Sequence, residues 1–536
     1  MCLKFYSNTS RDWARVCRIA WLSALIVLIS IYAAIHIYVY PSHYAHWFTG
    51  ADQGLYLKAA RAWAAGDFDP RLHYYLPGYA VLAAPFVSVF PYQPFMIPDL
   101  LCLLVSFWLF VEICGRLLPD DEWAKLAGIA AFLVAILSSR YAITVWVVPL
   151  TTTGSAPFVL AALLGALRFA ENPRLSTLFW TMAAGAVVAA FRPTDAMPIL
   201  VTTSLYIGSV LARFRPDIRR IVLALAIMTL GVATPLVTLL AAHVAIHGQA
   251  LGPYLEGSAA IGFQWRLIPY RWVYLVVDPR PLFPEGQGLA RVFPWIVPGI
   301  AGMALGLFGR LRGRAAPHFL VIGTILIYWL LYLSYVDLQP YGLWRYYNYH
   351  YFKLGLPFFA FYAIVLAINF SRRRNWLSST VVCAVVVLGL FFWRPEIRPR
   401  SPAAQAEASD SKIVLTRGLS EIGDVATLPV TANWRDLYFG DHKLTIEGRR
   451  FHNTVDFKVF PTPNGAMILP LRILPPGRAE LSFAAEPNSA GGFSVDTTNP
   501  AWEARQHIIF APPCLFAPLV QGCGPVSGEP LEGGSH

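Results

Sequence analysis

Residues 18–40 read RIAWLSALIVLISIYAAIHIYVY. No acidic residue interrupts this run, and at 1.5 Å per residue it can cross a bilayer core of roughly 30 Å. It is too long for the apolar region of a secretory signal, about 7–15 residues, and no small-residue cleavage site follows it. The run is therefore expected to stay in the protein as a membrane-spanning helix. Comparable runs recur as far as Trp393, so the fold class is an all-α polytopic membrane protein with about eleven transmembrane helices. The spans are expected near 18–40, 94–118, 123–139, 153–170, 175–191, 194–212, 219–246, 291–309, 317–336, 352–370 and 376–393.

Composition points the same way. Of 536 residues, 56% are hydrophobic and only 14% charged, against about 25% charged in soluble domains. Mean hydropathy is +0.51. The net charge of +11 would suggest a nucleic-acid partner in a soluble chain. Here the basic residues gather at span ends, as in Arg372-Arg373-Arg374 and Arg310-Leu311-Arg312-Gly313-Arg314. There they set topology and meet the headgroups of membrane lipids, and no nucleic-acid partner is expected. The seven cysteines show no metal-site spacing. Cys514 and Cys523 stand apart from the spans and are either a disulfide, if their compartment oxidises thiols, or two free thiols.

Basic residues in short loops also give the orientation. Lys4, Arg11, Arg15 and Arg18 precede the first span and place the N-terminus, 1–17, in the cytoplasm. Alternation then puts the basic stretches 213–220, 310–314 and 372–374 on the same side. Arg394, Arg398 and Arg400 match the last of these in number, so the final span is oriented by parity alone. The transmembrane domain covers 18–393, with a large first outer loop at 41–93 and further outer segments at 247–290 and 337–351. A Pro-rich polar linker, 394–411, leads to a small β-rich domain at 412–536, where stretches such as Ala479-Glu480-Leu481-Ser482-Phe483 alternate between Gly and Pro breaks. The expected location is a cell membrane, the bacterial inner membrane, with the C-terminus periplasmic.

The first outer loop is unlike an ordinary connector. It is dense in aromatics and runs through Phe48-Thr49-Gly50-Ala51-Asp52-Gln53-Gly54-Leu55-Tyr56, Gly66-Asp67-Phe68-Asp69-Pro70 and Tyr74-Tyr75-Leu76-Pro77-Gly78-Tyr79. From Asp52 to Ala65 the pattern is helical, with Leu55, Ala59, Ala62 and Trp63 on one face. Pro77-Gly78 reads as a turn, and Tyr79 to Phe90 is apolar but too short to span, as for a segment lying in the interface.

This arrangement resembles the GT-C superfamily of polyprenyl-phosphate-sugar-dependent membrane glycosyltransferases. Members share a cytoplasmic N-terminus, a long first outer loop with interfacial helices, and an acidic residue soon after the first span. Val277-Asp278-Pro279-Arg280 followed by Gly286-Gln287-Gly288-Leu289, and Trp344-Arg345-Tyr346-Tyr347 before the Pro357 span, are similar to further family segments. The resemblance covers about residues 18–393 and implies inverting transfer of a sugar from a polyprenyl-phosphate donor to a glycan, lipid or protein acceptor outside the cytoplasm. Carried over residue by residue, the catalytic acid falls on Asp52. Some members use a divalent metal and others do not, so a metal cofactor stays open.

Physical chemistry supports the same residue in part. Transfer to a hydroxyl needs a base for the acceptor proton, and a carboxylate serves. The reactive carbon of a lipid-phosphate sugar is held at the membrane surface, and Asp52 lies within reach of that plane. The competing reading is that Asp52 only N-caps the following helix. Asp67 and Asp69 are possible second acids or polar loop residues. An anionic donor needs cations, and Arg345, Lys353 and Arg280 are the lipid-phosphate candidates; interfacial snorkelling is the plainer role for them. Arg192 can simply pair with Asp195 where two helices meet.

Other constellations carry less. Asp120-Asp121-Glu122 falls on the cytoplasmic side and reads as a solvated connector, and His43 and His46 have no third metal ligand nearby. No Walker A or Rossmann fingerprint is present. The rival functions are a polysaccharide polymerase or ligase, which would put its largest catalytic loop late, and a lipid-linked-glycan flippase or transporter, which would show repeats and mid-membrane charges.

Overall fold

A computed structural model of the chain describes residues 10–39, 51–119, 121, 123–214, 217–250, 252–279, 287–308, 315–336, 338 and 348–372, with separate stretches between 412 and 495. The main helices are α1 (Ser10–Ala34), α2 (Ala51–Ala65), α3 (Pro77–Ala83), α4 (Met96–Leu117), α5 (Ala124–Leu137), α6 (Arg140–Val147) and α7 (Thr151–Glu171). They continue with α8 (Leu175–Val187), α9 (Pro193–Phe214), α10 (Ile218–His247), α11 (Pro253–Ile261), α12 (Ile296–Leu307), α13 (Ala315–Ser334) and α14 (Gly355–Arg372).

Among the described residues six helices are long and apolar enough to cross a membrane: residues 15–37, 96–117, 151–171, 193–214, 218–247 and 315–334. A seventh results if α5 and α6, bent by 92° at their junction, are taken together. The apolar stretches 175–190, 296–307 and 355–370 are helical but shorter. The count of eleven full spans is not confirmed among the described residues, because the helices at the expected 175–191, 291–309 and 352–370 are shorter than a full crossing. The span expected at 376–393 lies outside the described residues.

A single large core joins the bundle. α7 packs against α4, α8 and α9, while α14 packs against α5 and α12. Phe107, Phe110, Phe132, Trp146 and Phe358 interlock at its centre. α10 is the least buried of these candidate spans, with Val222, Leu225, Leu230, Val237 and Val244 facing outward; such a face suits lipid rather than water.

The first outer loop carries its own small core. α2 turns Tyr56, Leu57, Ala59 and Ala60 inward, against Tyr79, Ala80 and Ala83 of α3 and Phe191 of the bundle. The helix ends at Gly66, whose left-handed φ of 67° allows Asp67 N to bond back to Ala62 O at 2.9 Å. Pro77 and Gly78, expected as a turn, instead open α3. Proline needs no donor at a helix start, and a Cβ at Gly78 would stand 2.7 Å from Ala190 O. Glycine is therefore what lets α3 lie on the α8–α9 junction.

The described C-terminal stretches form short antiparallel strands. These are β1 (Lys412–Leu415), β2 (Ala426–Leu428), β3 (Val430–Thr431), β4 (Lys443–Ile446), β5 (Arg449–His452), β6 (Phe457–Thr462), β7 (Gly465–Pro470), β8 (Ala479–Ser482) and β9 (Ser494–Val495). They pair in the orders β1-β8-β4-β5, β2-β7-β6 and β3-β9. Leu444, Ile446, Val459, Ile468 and Leu481 are buried, so period-2 alternation is visible where the sequence suggested it. Cys514 and Cys523 lie outside the described residues.

Candidate active site

Asp52 sits in the first turn of α2, one residue inside the helix start. Its Oδ1 accepts a 2.6 Å hydrogen bond from Tyr75 Oη. Tyr56, one helical turn further on, stacks at 4.6 Å on Tyr75 and at 5.3 Å on the edge of Tyr79. Tyr254, from α11, closes on Tyr75 at 4.9 Å. The Asp52 side chain is exposed, yet protein crowds it on several sides. That crowding raises its pKa above the ordinary carboxylate value, and the Tyr75 bond and the Arg192 charge offset only part of the rise. Asp52 is thus reachable and more basic than an ordinary carboxylate. Tyr56 and Tyr75 are themselves pushed well above the normal phenol value, first by burial. They stay protonated and act as donors.

Behind this group, three consecutive threonines open α7 and each meets a different partner. Thr151 Oγ1 accepts from Arg192 Nη1 at 3.3 Å. Thr152 Oγ1 and His350 Nδ1 are 3.1 Å apart. Thr153 Oγ1 accepts from Lys353 Nζ at 2.6 Å. Thr151 is also close enough to act on the Tyr56 phenol, which relates the Asp52 helix to this hub.

Arg192 is the charge at the centre. It is 6% exposed, donates to Tyr332 Oη at 3.1 and 3.2 Å, and stands 3.5 Å from Asp195. The Tyr351 ring lies under its guanidinium at 4.6 Å. Asp195 is held in turn by Tyr332 and by Ser155 at 3.2 Å. The expected Arg192–Asp195 pair is present, but it belongs to a network that faces Asp52. Charges buried this deeply in a membrane bundle are costly and are kept where they serve a site.

The other sequence candidates scatter. Asp67 and Asp69 follow α2, so they stand about 20 Å from Asp52 along its axis at 1.5 Å per residue. Asp69 caps the one-turn helix Pro70–Leu72 and grips Arg71 at 2.6 Å. That partner holds its carboxyl down at about 2. Asp67 Oδ1 accepts from Asp69 N at 3.0 Å. Lys353 is 1% exposed, donates to Val145 O at 3.0 Å as well as to Thr153, and lies 4.4 Å from the Trp146 ring centre. Arg280 and Arg345 lie outside the described residues. Asp121, from the acidic connector, is buried.

Sequence reasoning overlooked two features. Asp99, at the start of α4, is fully buried and receives Tyr79 Oη at 2.8 and 2.9 Å. Through Tyr79 it anchors the ring against which Tyr56 packs. The threonine run was visible in the sequence, as was an acid within an apolar span, but neither names its partner. Among the described residues no group of three or more His, Cys, Asp or Glu is placed to hold a metal ion.

No family model matches the sequence, and no curated protein does. Among solved structures the chain is similar to the single-particle cryo-EM structure of arabinosyltransferase EmbB from Mycobacterium smegmatis, at a TM-score of 0.32 and 14% identity. The alignment covers 88% of this chain and 63% of that one. The chain thus spans less than two thirds of the length of that protein.

Proposed function

We propose that this protein is a membrane glycosyltransferase that moves a sugar from a polyprenyl-phosphate donor to a glycan, lipid or protein acceptor outside the cytoplasm. The observation that carries this reading is Asp52. It is an accessible carboxylate of raised basicity, oriented by Tyr75 and faced by the buried charge of Arg192.

In this reaction Asp52 takes the proton of the acceptor hydroxyl as its oxygen attacks the anomeric carbon. The bond from that carbon to the phosphate oxygen breaks on the opposite face, and lipid phosphate leaves with the electron pair. The configuration at the sugar carbon inverts. Arg192 is fixed by its own network with Tyr332, Thr151 and Asp195. Its guanidinium meets the growing phosphate charge with little reorganisation, which is how preorganised donors lower a barrier. Arg345, Lys353 and Arg280 complete the proposed cationic set for the lipid phosphate.

The test is sugar transfer by purified protein in liposomes, supplied with a panel of radiolabelled polyprenyl-phosphate sugars, with and without chelator. One donor should be consumed, with an inverted product. Binding of a donor without transfer to any acceptor in the panel, or flipping of the donor across the bilayer, would return the chain to the transporter reading.

A further inference from the structure

We infer that Tyr74, Tyr75 and Tyr254 form an acceptor subsite beside Asp52, and that the acceptor they take is a saccharide rather than a lipid or a peptide. This rests on the glycosyl-transfer reading above and narrows its acceptor.

Two segments far apart in the chain build the subsite. Tyr74 and Tyr75 lie in the first outer loop, between the one-turn helix Pro70–Leu72 and α3. Tyr254 is the second residue of α11, in the outer segment 247–290. Their rings converge. Tyr74 meets Tyr75 at 5.0 Å and nearly at right angles, Tyr254 meets Tyr75 at 4.9 Å, and Tyr74 and Tyr254 are 6.3 Å apart. Tyr75 links the cluster to the chemistry, because its hydroxyl bonds Asp52 Oδ1 at 2.6 Å. Among the described residues no other hydrogen bond involves that carboxylate, so Oδ2 is left for the acceptor hydroxyl.

The tyrosines change character from the inside outward. Tyr56 and Tyr79 are 4% and 1% exposed and belong to the small core of the loop. Tyr75 and Tyr254 are half-buried, and Tyr74 is 36% exposed. Packing accounts for the inner rings. The outer ones keep aromatic surface in water beside a reachable carboxylate, and apolar surface rimmed by polar groups marks a ligand site.

The chemistry of these rings selects the ligand. A sugar carries C–H groups on its ring faces and hydroxyls on its rim. The electron-rich face of an aromatic ring attracts C–H groups laid against it, and phenol hydroxyls can donate to and accept from the rim. Tyrosine offers both from a stiff side chain, at low cost in conformational entropy. A polyprenyl chain has no use for the hydroxyls. Where this protein suits lipid tails, on α10, it presents Val222, Leu225 and their neighbours instead. A peptide bound in extended form needs a sheet edge for its amides, and the described residues of the first outer loop contain no strand. A saccharide held by Tyr74 and Tyr254 ends beside Tyr75, where its terminal hydroxyl gives its proton to Asp52.

The test uses the full chain in lipid nanodiscs, free of sugar-headed detergent. It is titrated calorimetrically with neutral trisaccharides of glucose, mannose, galactose, arabinose and xylose. At least one should bind saturably. Its affinity should fall about two- to tenfold in Tyr74→Ala and in Tyr254→Ala, the weight of one aromatic contact. Binding should hold in Asp52→Asn, which loses transfer. With the same trisaccharide as acceptor, both alanine variants should raise the acceptor KM and leave the donor KM in place. The exposed Tyr74 keeps the test open if Tyr254→Ala fails to fold. Undiminished binding in folded Tyr74→Ala and Tyr254→Ala, or a raised donor KM in place of the acceptor KM, would overturn the subsite. So would transfer to polyprenol or a peptide by a protein that binds none of the trisaccharides, although the transfer reading would then stand. Trisaccharide binding with no donor consumed would instead sink the transfer reading and leave a saccharide site.

Discussion

Replacing Asp52 with Asn separates a catalytic carboxylate from a structural one. Asn has the same size, and its Oδ1 can still accept the Tyr75 bond that Asp52 Oδ1 accepts at 2.6 Å. The packing of Tyr56, Ala59 and Ala60 beneath it is untouched. The charge lost from the first turn of α2 weakens its interaction with the helix dipole by about 0.3–1 kcal/mol. Against this, the raised pKa means that the folded protein disfavours the ionised form. Above the ordinary carboxylate range that charge therefore subtracts from stability, and Asn relieves it. The two terms oppose each other, so thermal stability should hold or rise. The proton acceptor is gone, however, and general-base catalysis contributes roughly 10²–10⁴-fold, or about 2.7–5.4 kcal/mol at 1.36 kcal/mol per tenfold. Single-turnover transfer in liposomes with saturating donor should show that loss in kcat, with donor affinity kept. A near-normal kcat would refute the assignment, and a clear fall in melting temperature would return Asp52 to a structural role.

Further outcomes follow from the same geometry. In the unmodified enzyme the acid limb of the pH–kcat/KM profile should lie above the usual carboxylate range, because Asp52 must be ionised to act. Tyr75→Phe removes the bond that lowers this pKa, so the limb should move to still higher pH. Arg192→Met leaves Asp195, 1% exposed, without its cation. Denaturation should show a loss of about 3–5 kcal/mol, a rise in donor KM should accompany it, and Asp195→Asn in the same chain should restore part of the stability. Gly302→Ala sets a Cβ against Tyr362 O where α12 meets α14; such overpacking costs about 1–3 kcal/mol, readable as a lower melting temperature. Reporter fusions at roughly residue 420 should behave as extracytoplasmic, and a cytoplasmic signal there would undo the parity of the spans.

Hydropathy is a local property, which is why the sequence alone settled that this chain belongs in a membrane. The run at 18–40 and its successors need no partner to be read, and six of them emerge as long apolar helices. The helix from Ala51 to Ala65 was legible for the same reason, through its own periodicity. So were the alternating strands near Ala479. Asp52 could be picked out by position and likeness, but its basicity could not. That comes from the protein packed around it, offset in part by Tyr75 and Arg192, which lie at sequence distances that no local pattern spans. Thr152 and His350 are 198 positions apart, Thr153 and Lys353 200, and Arg192 and Tyr332 140. Only the packing of α7, α9, α13 and the segment before α14 brings them together. The break between α5 and α6 and the short α8 and α12 are likewise products of tertiary packing, because burial and partnership are properties of neighbours in space.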